Sequence, residues 1–417
     1  MKKNSGLLQS LLTVTGNMFA NGISAVAIII LSRSLGPEKF GLFTVGFSLT
    51  LLLNKMSDLG FTQALLKYIP KIANTGTKHA LFMYTVNTKI AVSLGILCIG
   101  VLLAPWLSTV LNISQPAILY IAFAGNVITA LYDHLQAMLQ SLHKFTHSVI
   151  ASVTQSSLKL VLSLSLAFIA PTHIIIAFLT YSFIPGIVLL PYLQKYKPTK
   201  QTVSTEKSAL LAMAKHAAIG FIALGITENI DVLFIQSFRS EYETGLFGGV
   251  SRIALLFSLS AYSLSTVLNP RVARYQKKQD VIKYSQKAFL LCGAISLAAI
   301  VVLFLTKPLI LYSIGADYLP AAPLLSILLL ASFITLFTTP IVALFFSLKE
   351  AEWYFSVSGI IQLVLTLISN ALLVPQYGSV ASAWTRVGVK TTILLFTCSV
   401  LFYYLFRKTQ KASPEVQ

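Results

Sequence analysis

Ionisable side chains sit where an apolar chain should not carry them. Seven basic residues (Lys55, Lys89, Lys159, Lys215, Arg252, Arg386 and Lys390) and four acidic ones (Asp58, Asp133, Glu228 and Asp231) fall inside long apolar stretches. Each costs roughly 2.5 to 3.5 kcal/mol in hydrocarbon on insertion scales, so such groups face one another, a bundle interior or a wet cavity. A cavity lined by this set carries net positive charge and suits an anion. Lysine meets a phosphate as a point charge, and arginine meets it as a two-pronged donor. The bland reading of each residue is a structural ion pair or a side chain snorkelling to the interface.

Other chemistries find no pattern. The six histidines, His79, His134, His143, His147, His173 and His216, form no metal-ligand spacing, and His134 beside Asp133 reads as a polar helix end. Cys98, Cys292 and Cys398 lie in apolar runs without a CxxC, which implies neither a disulfide framework nor a zinc site. Neither GxxxxGK[ST] nor GxGxxG occurs, so no nucleotide-driven step is expected, and the reading is of a non-enzyme.

The elements that must hold these charges are membrane helices. The chain has 417 residues, 56% of them hydrophobic and only 11% charged, with a mean hydropathy of +0.78. About 20 apolar helical residues cross a bilayer core. Twelve spans are expected: 10–32, 40–66, 80–104, 115–139, 147–170, 172–193, 209–237, 245–269, 286–306, 319–347, 353–374 and 379–405. The basic N-terminal stretch reads as an uncleaved first span. The excess of 31 basic over 13 acidic residues then reports cytoplasmic loops and not a nucleic-acid partner. With both termini cytoplasmic, the inside segments hold twenty Lys and Arg, and the outside ones hold only Arg33, Lys39, Arg239 and Lys307. Pro105, Pro185, Pro270 and Pro340 are candidates for bends.

"FGLFTVGFSLTLLL" at 40–53 is echoed by "TGLFGGVSRIALLF" at 244–257, an offset of 204 that maps the second span onto the eighth. Parallel repeats of this kind are related by an axis along the membrane normal, with a substrate site between the halves. The expected domains are a six-helix lobe at 1–193, a cytoplasmic linker at 194–208 and a second six-helix lobe at 209–417. The fold class is an all-α polytopic membrane protein of about 12 helices around a central cationic cavity. The glycines of "GLFGGVS" suit close helix packing better than a phosphate cradle.

The stretch "LSRSLGPEKFGLFTVGFSLTLLLNKMSDLGFTQALLKYIPK" resembles the N-terminal signature of polysaccharide repeat-unit flippases of the multidrug/oligosaccharidyl-lipid/polysaccharide exporter superfamily. The resemblance rests on Arg33, Leu35, Gly36 and Pro37, on Phe40 and Gly41, and on Asp58, Leu59 and Gly60; "ENIDVLFIQSF", "GLFGGVSRI" and "LNPRVARY" continue it. It implies an alternating-access carrier of polyprenyl-diphosphate-linked oligosaccharide in the bacterial cytoplasmic membrane, serving O-antigen (lipopolysaccharide), capsule or exopolysaccharide synthesis. It further implies a monomeric transporter that works beside a polymerase and glycosyltransferases. The substrate-binding candidates are Lys55, Lys89, Lys159, Arg252, Arg386 and Lys390, with Lys215 nearer the cytoplasmic edge. Asp58 and Gly60, like Arg33, Gly36 and Gly41, are expected to be structural.

The related lipid II flippases imply a cation site at Glu228, Asp231 and Asn370, so coupling to H⁺ or Na⁺ is open. Val374 in place of a second acid, and Arg386 and Lys390 close by, argue against sodium. No other cofactor is expected. The alternatives are a multidrug or organic-cation exporter of the same superfamily, for which an acidic or aromatic pocket is expected, and a membrane-embedded polymerase or glycosyltransferase, for which a large outside loop is expected.

Overall fold

The computed structural model describes residues 5–193, 204–272, 300–345 and 352–410, together with 286, 289, 290, 292 and 293. Part of the expected span 286–306 and most of the linker 194–208 therefore lie outside the described residues, as does the tail from 411. Every described element is helical. Among the described residues, eight helical segments are long and apolar enough to cross a membrane. The two longest, of 44 and 49 residues, reach more than 60 Å at about 1.5 Å per residue, enough for two passes each.

The first of these belongs to α1 (Ser5–Asp58), in which the helix breaks at Gly36 with φ 71° and ψ 168°. A side chain is strained at that φ, so the glycine is what lets the first span turn into the second. The second span was expected to run to 66, but it stops at Asp58. Leu59 (φ 48°) and Gly60 (φ 77°) are left-handed, and a short α2 (Phe61–Tyr68) follows. Next come α3 (Thr75–Val110), α4 (Ala117–Ser141), α5 (Phe145–Ile169), α6 (Ile174–Leu193), α7 (Ser204–Phe238) and α8 (Glu241–Val272). The described chain closes with α9 (Thr306–Ser313), α10 (Ala322–Phe345) and α11 (Glu352–Gln410). In α11 the break comes at Gly378, φ 60°, between the expected spans 353–374 and 379–405.

The offset of 204 reappears as a contact. Gly41 of α1 and Gly245 of α8 face each other: a Cβ on either would lie 3.0–3.1 Å from the other's backbone nitrogen. The same Cβ on Gly41 would run into the carbonyl of Glu241, and the one on Gly245 into the carbonyl of Pro37. Pro37 and Glu241 are themselves 204 apart, so the two helices cross through repeat-equivalent residues. Small residues permit this approach where lipid offers no hydrophobic drive between helices.

Polar contacts join the halves at the same end of the bundle. Arg33 Nη1 donates to the Tyr312 carbonyl at 3.1 Å, and Tyr318 Oη donates to the Ser32 carbonyl at 2.9 Å. The backbone nitrogen of Ser114 donates to Glu241 Oε1 at 2.7 Å. Beneath them Phe40, Phe43, Phe178, Phe247 and Leu325 share one buried core.

Candidate functional site

Two cavities open below that core. The first, about 510 Å³, is walled by α1, α4, α5 and α6 with Arg252 from α8. The second, about 530 Å³, lies among α7, α8, α10 and α11, with Ser48 and Leu51 from α1. Arg252 lines both. A smaller pocket of about 200 Å³ extends the first past Lys55 to Asp58 and Gly60.

Where the cavities meet, cations stand on aromatic rings. The Arg252 guanidinium lies 4.7 Å from the Phe47 centroid, and Lys159 Nζ lies 4.2 Å from the Tyr181 centroid. The two rings touch edge to face, with centroids 5.6 Å apart at 78°, so one aromatic pair carries both cations. Phe43 stacks on Phe47 and meets Tyr181 edge-on, which holds the pair from behind. Arg252 Nε has no hydrogen-bond partner among the described residues. A cation over a ring gains about 0.5–2 kcal/mol and keeps its outward face free for an anion.

The other expected residues divide. Lys55 is exposed on the wall of the first cavity, and its stem packs against Gly225 of α7. Lys390 lines the second cavity and donates to Gln362 Oε1 at 3.1 Å. Glu228 is exposed there too, and its carboxylate has no hydrogen-bond partner among the described residues. Lys215 is exposed near the start of α7, outside both cavities. His216 has a side chain outside the described residues.

Lys89 requires a correction. Its side chain is 0% exposed and donates to Asp58 Oδ1 at 2.7 Å, so it lines neither cavity. Asp58 also accepts from the Thr62 hydroxyl at 2.5 Å and ties the left-handed turn at Leu59–Gly60 to α3. The partner of Asp58 is therefore Lys89, and Lys55 is left free for the cavity. Asp133 turns toward the first cavity and accepts from Asn54 Nδ2 at 2.7 Å. His134 is buried against Thr85, so these neighbours in sequence face different surroundings.

Glu228 and Asp231, three apart on α7, also separate. Asp231 is 0% exposed and forms an ion pair with Arg386 Nε. Its second oxygen accepts from Asn370 Nδ2 at 2.8 Å, and Ser382 Oγ donates to Asn370 Oδ1 at 2.5 Å. Arg386 further donates to the Glu228 carbonyl at 3.3 Å, and its guanidinium lies 5.1 Å from the Phe247 ring. Both oxygens of Asp231 thus have donors, one of them a fixed cation. Val374, where a second acid was sought, is fully buried, and its carbonyl accepts from Arg239 Nε at 3.3 Å.

Among the described residues, opposite charges come within 4 Å only at Lys89–Asp58 and Arg386–Asp231. Lys55, Lys159, Arg252 and Lys390 are cavity cations without a carboxylate that close. Sequence reasoning missed Phe47 and Tyr181, because an aromatic residue in an apolar run carries no mark of its task.

The fold is that of known transporters. It superposes on lipid II flippase MurJ in an inward closed conformation with a TM-score of 0.75 and 12% identity, over 94% of this chain and 87% of that one. An inward-facing multidrug resistance MATE family transporter of the MOP superfamily gives 0.72 at 15% identity, over 97% of this chain and 100% of that one. The MATE multidrug transporter DinF-BH in complex with R6G gives 0.66 at 17% identity, over 94% of each chain. Among curated protein sequences none matches. Residues 9–276, well over half of the chain, match the family described as polysaccharide biosynthesis protein, and the chain belongs to that family.

Proposed function

We propose that this membrane protein is an alternating-access flippase that carries polyprenyl-diphosphate-linked oligosaccharide from the cytoplasmic to the outer leaflet of the bacterial inner membrane. The observation that supports it best is the pair Lys159 and Arg252, held on the Tyr181 and Phe47 rings at the junction of two cavities. A diphosphate reaching them displaces no carboxylate. Lys55 lies toward the other end of the first cavity and meets the headgroup earlier. The contacts at Gly41 and Gly245 lie at the end assigned to the outside by the twenty-to-four bias of basic residues. On that assignment the cavities load from the cytoplasm. Arg386 already neutralises Asp231, so sodium at that carboxylate is not part of the proposed cycle.

The same fold serves multidrug exporters, and one observation favours that second reading: the unpartnered, exposed carboxylate of Glu228 in the second cavity, which suits a cation. The readings separate in cells that depend on this chain for surface polysaccharide. A charge-assisted hydrogen bond is worth about 1.5–3 kcal/mol. Arg252→Ala and Lys159→Ala should each lower export roughly 10- to 150-fold at equal protein level, and Glu228→Gln should not. Unchanged export in both cation variants, with drug resistance lost in Glu228→Gln, would refute the flippase reading.

A further inference from the structure

The two cavities share Arg252 but differ in what covers the rest of their walls. The first carries six side-chain amides, Asn17, Asn21, Asn54, Gln136, Gln140 and Gln155, whereas the second carries Asn229 alone, whose Nδ2 is bonded to the Gly225 carbonyl. An amide offers two donors and two acceptor sites in one plane, a pattern that matches adjacent hydroxyl groups and has no charge to offer a phosphate. Three of the six are engaged: Asn54 with Asp133, Gln136 with Tyr132 and Ser148, and Gln140 with Ser148. Asn17, Asn21 and Gln155 have no hydrogen-bond partner among the described residues, although each lines the cavity. Polar groups set in a membrane bundle normally find partners, so three open amides on one wall mark a surface left for a ligand.

Their order along the wall is fixed by packing. Ser24 and Ser156 share a hydrogen bond at 2.9 Å, and Gly16 packs against Val149. The first part of α1 and α5 therefore run side by side in the same direction, with Asn21 close to the level of residue 153 and Asn17 about one turn beyond. Gln155 is one turn from Lys159, about 6 Å at 1.5 Å per residue. Passing along the wall from the aromatic-held cations toward Lys55, a ligand meets Gln155, then Asn21, then Asn17.

We infer that the first cavity is a carbohydrate subsite in which Gln155, Asn21 and Asn17 read the hydroxyl and acetamido groups of a glycan whose diphosphate lies at Lys159 and Arg252. The sugar joined to the diphosphate meets Gln155, and the distal sugars meet Asn21 and Asn17. This rests on the diphosphate reading above and deepens it by naming the residues that set glycan specificity. A site built to hydrogen-bond a hydroxyl discriminates strongly against a ligand that lacks it, because the protein groups are then left unpaired.

The test compares bare farnesyl diphosphate with farnesyl diphosphate bearing N-acetylglucosamine, galactose or rhamnose, all titrated against the full chain in nanodiscs. Wild type should bind at least one sugar-bearing probe about ten-fold more tightly than the bare one, as two neutral hydrogen bonds supply. Gln155→Leu and Asn21→Leu, singly or together, should remove most of that gain. They should leave bare farnesyl diphosphate within about two-fold, which also shows that the variants are folded. Thr366→Val, on the wall of the second cavity, should change neither value. The subsite is overturned if no sugar-bearing probe gains over the bare one in wild type, or if the gain survives in the double variant. Failure of the diphosphate reading looks different: bare farnesyl diphosphate then binds Arg252→Ala as well as wild type, whatever the sugars do.

Discussion

Arg386→Ala is the perturbation whose size follows most directly from the geometry. It removes the only cation within 4 Å of Asp231 among the described residues, and the Asp231 side chain is 0% exposed. Asn370 Nδ2, at 2.8 Å, remains as its donor. Stranding a buried charge in this way costs ~3–5 kcal/mol. Asp231→Asn is the milder half of the pair. It leaves Arg386, 28% exposed on the second cavity, able to reach water, and costs ~1–2 kcal/mol, the scale of one lost charge-assisted bond. The double variant strands no charge and should cost no more than Asp231→Asn alone. The coupling energy is then close to the whole cost of the single arginine variant, ~3–5 kcal/mol. Unfolding free energies of the four proteins, measured in one detergent, give the cycle. An Arg386→Ala protein within about 1 kcal/mol of wild type, or a double variant as unstable as the sum of the singles, would show that the pair does not carry this energy.

Gly245→Ala and Gly41→Ala should each destabilise by ~1–3 kcal/mol through overpacking, because each new methyl runs into a backbone carbonyl of the other helix. Gly22→Ala, whose Cβ meets nothing within 4 Å, should be neutral or slightly stabilising; thermal unfolding ranks the three. Lys89→Ala should destabilise for the same reason as Arg386→Ala, since it strands Asp58. Lys89→Met with Asp58→Asn should restore both protein level and polysaccharide export, which a substrate-binding lysine would not allow.

The breaks at Gly36 and Gly378 were legible because interrupted apolar runs leave a mark: Gly-Pro in one case, Pro375 and Gly378 in the other. Gly41 and Gly245 stand at the repeat offset of 204, but that they pack on each other was not legible in the sequence. The inward face of each helix was far less readable. In a soluble helix the apolar stripe shows which side is buried. In a membrane the lipid-facing side is as apolar as the packed side, and the stripe vanishes. Lys89 and Lys159 each stand as one lysine in an apolar helix, and nothing in the sequence says that one turns into α1 and the other into a cavity. The amides were a usable signal, as Asn17, Asn21 and Gln155 are polar residues within spans at helical spacing, but a reading that weighed only charges passed over them.

What separates the cations is therefore the partner each one holds, not its depth. A phosphate that recruits Arg386 must take it from a buried carboxylate, at a cost on the order of 3–5 kcal/mol. One that recruits Arg252 or Lys159 gives up a ring contact worth about 0.5–2 kcal/mol, and keeps part of it if the cation stays over the ring. Each ion pair thus acts as fixed framework: Lys89–Asp58 holds the turn after the second span, and Arg386–Asp231 joins α7 to α11. The aromatic pair instead presents its cations ready for use, Lys159 in the first cavity and Arg252 on the wall that both cavities share. Alanine variants should follow that division. Loss of Lys89 or Arg386 should appear first in stability, and loss of Lys159 or Arg252 should appear in export from a protein that folds normally.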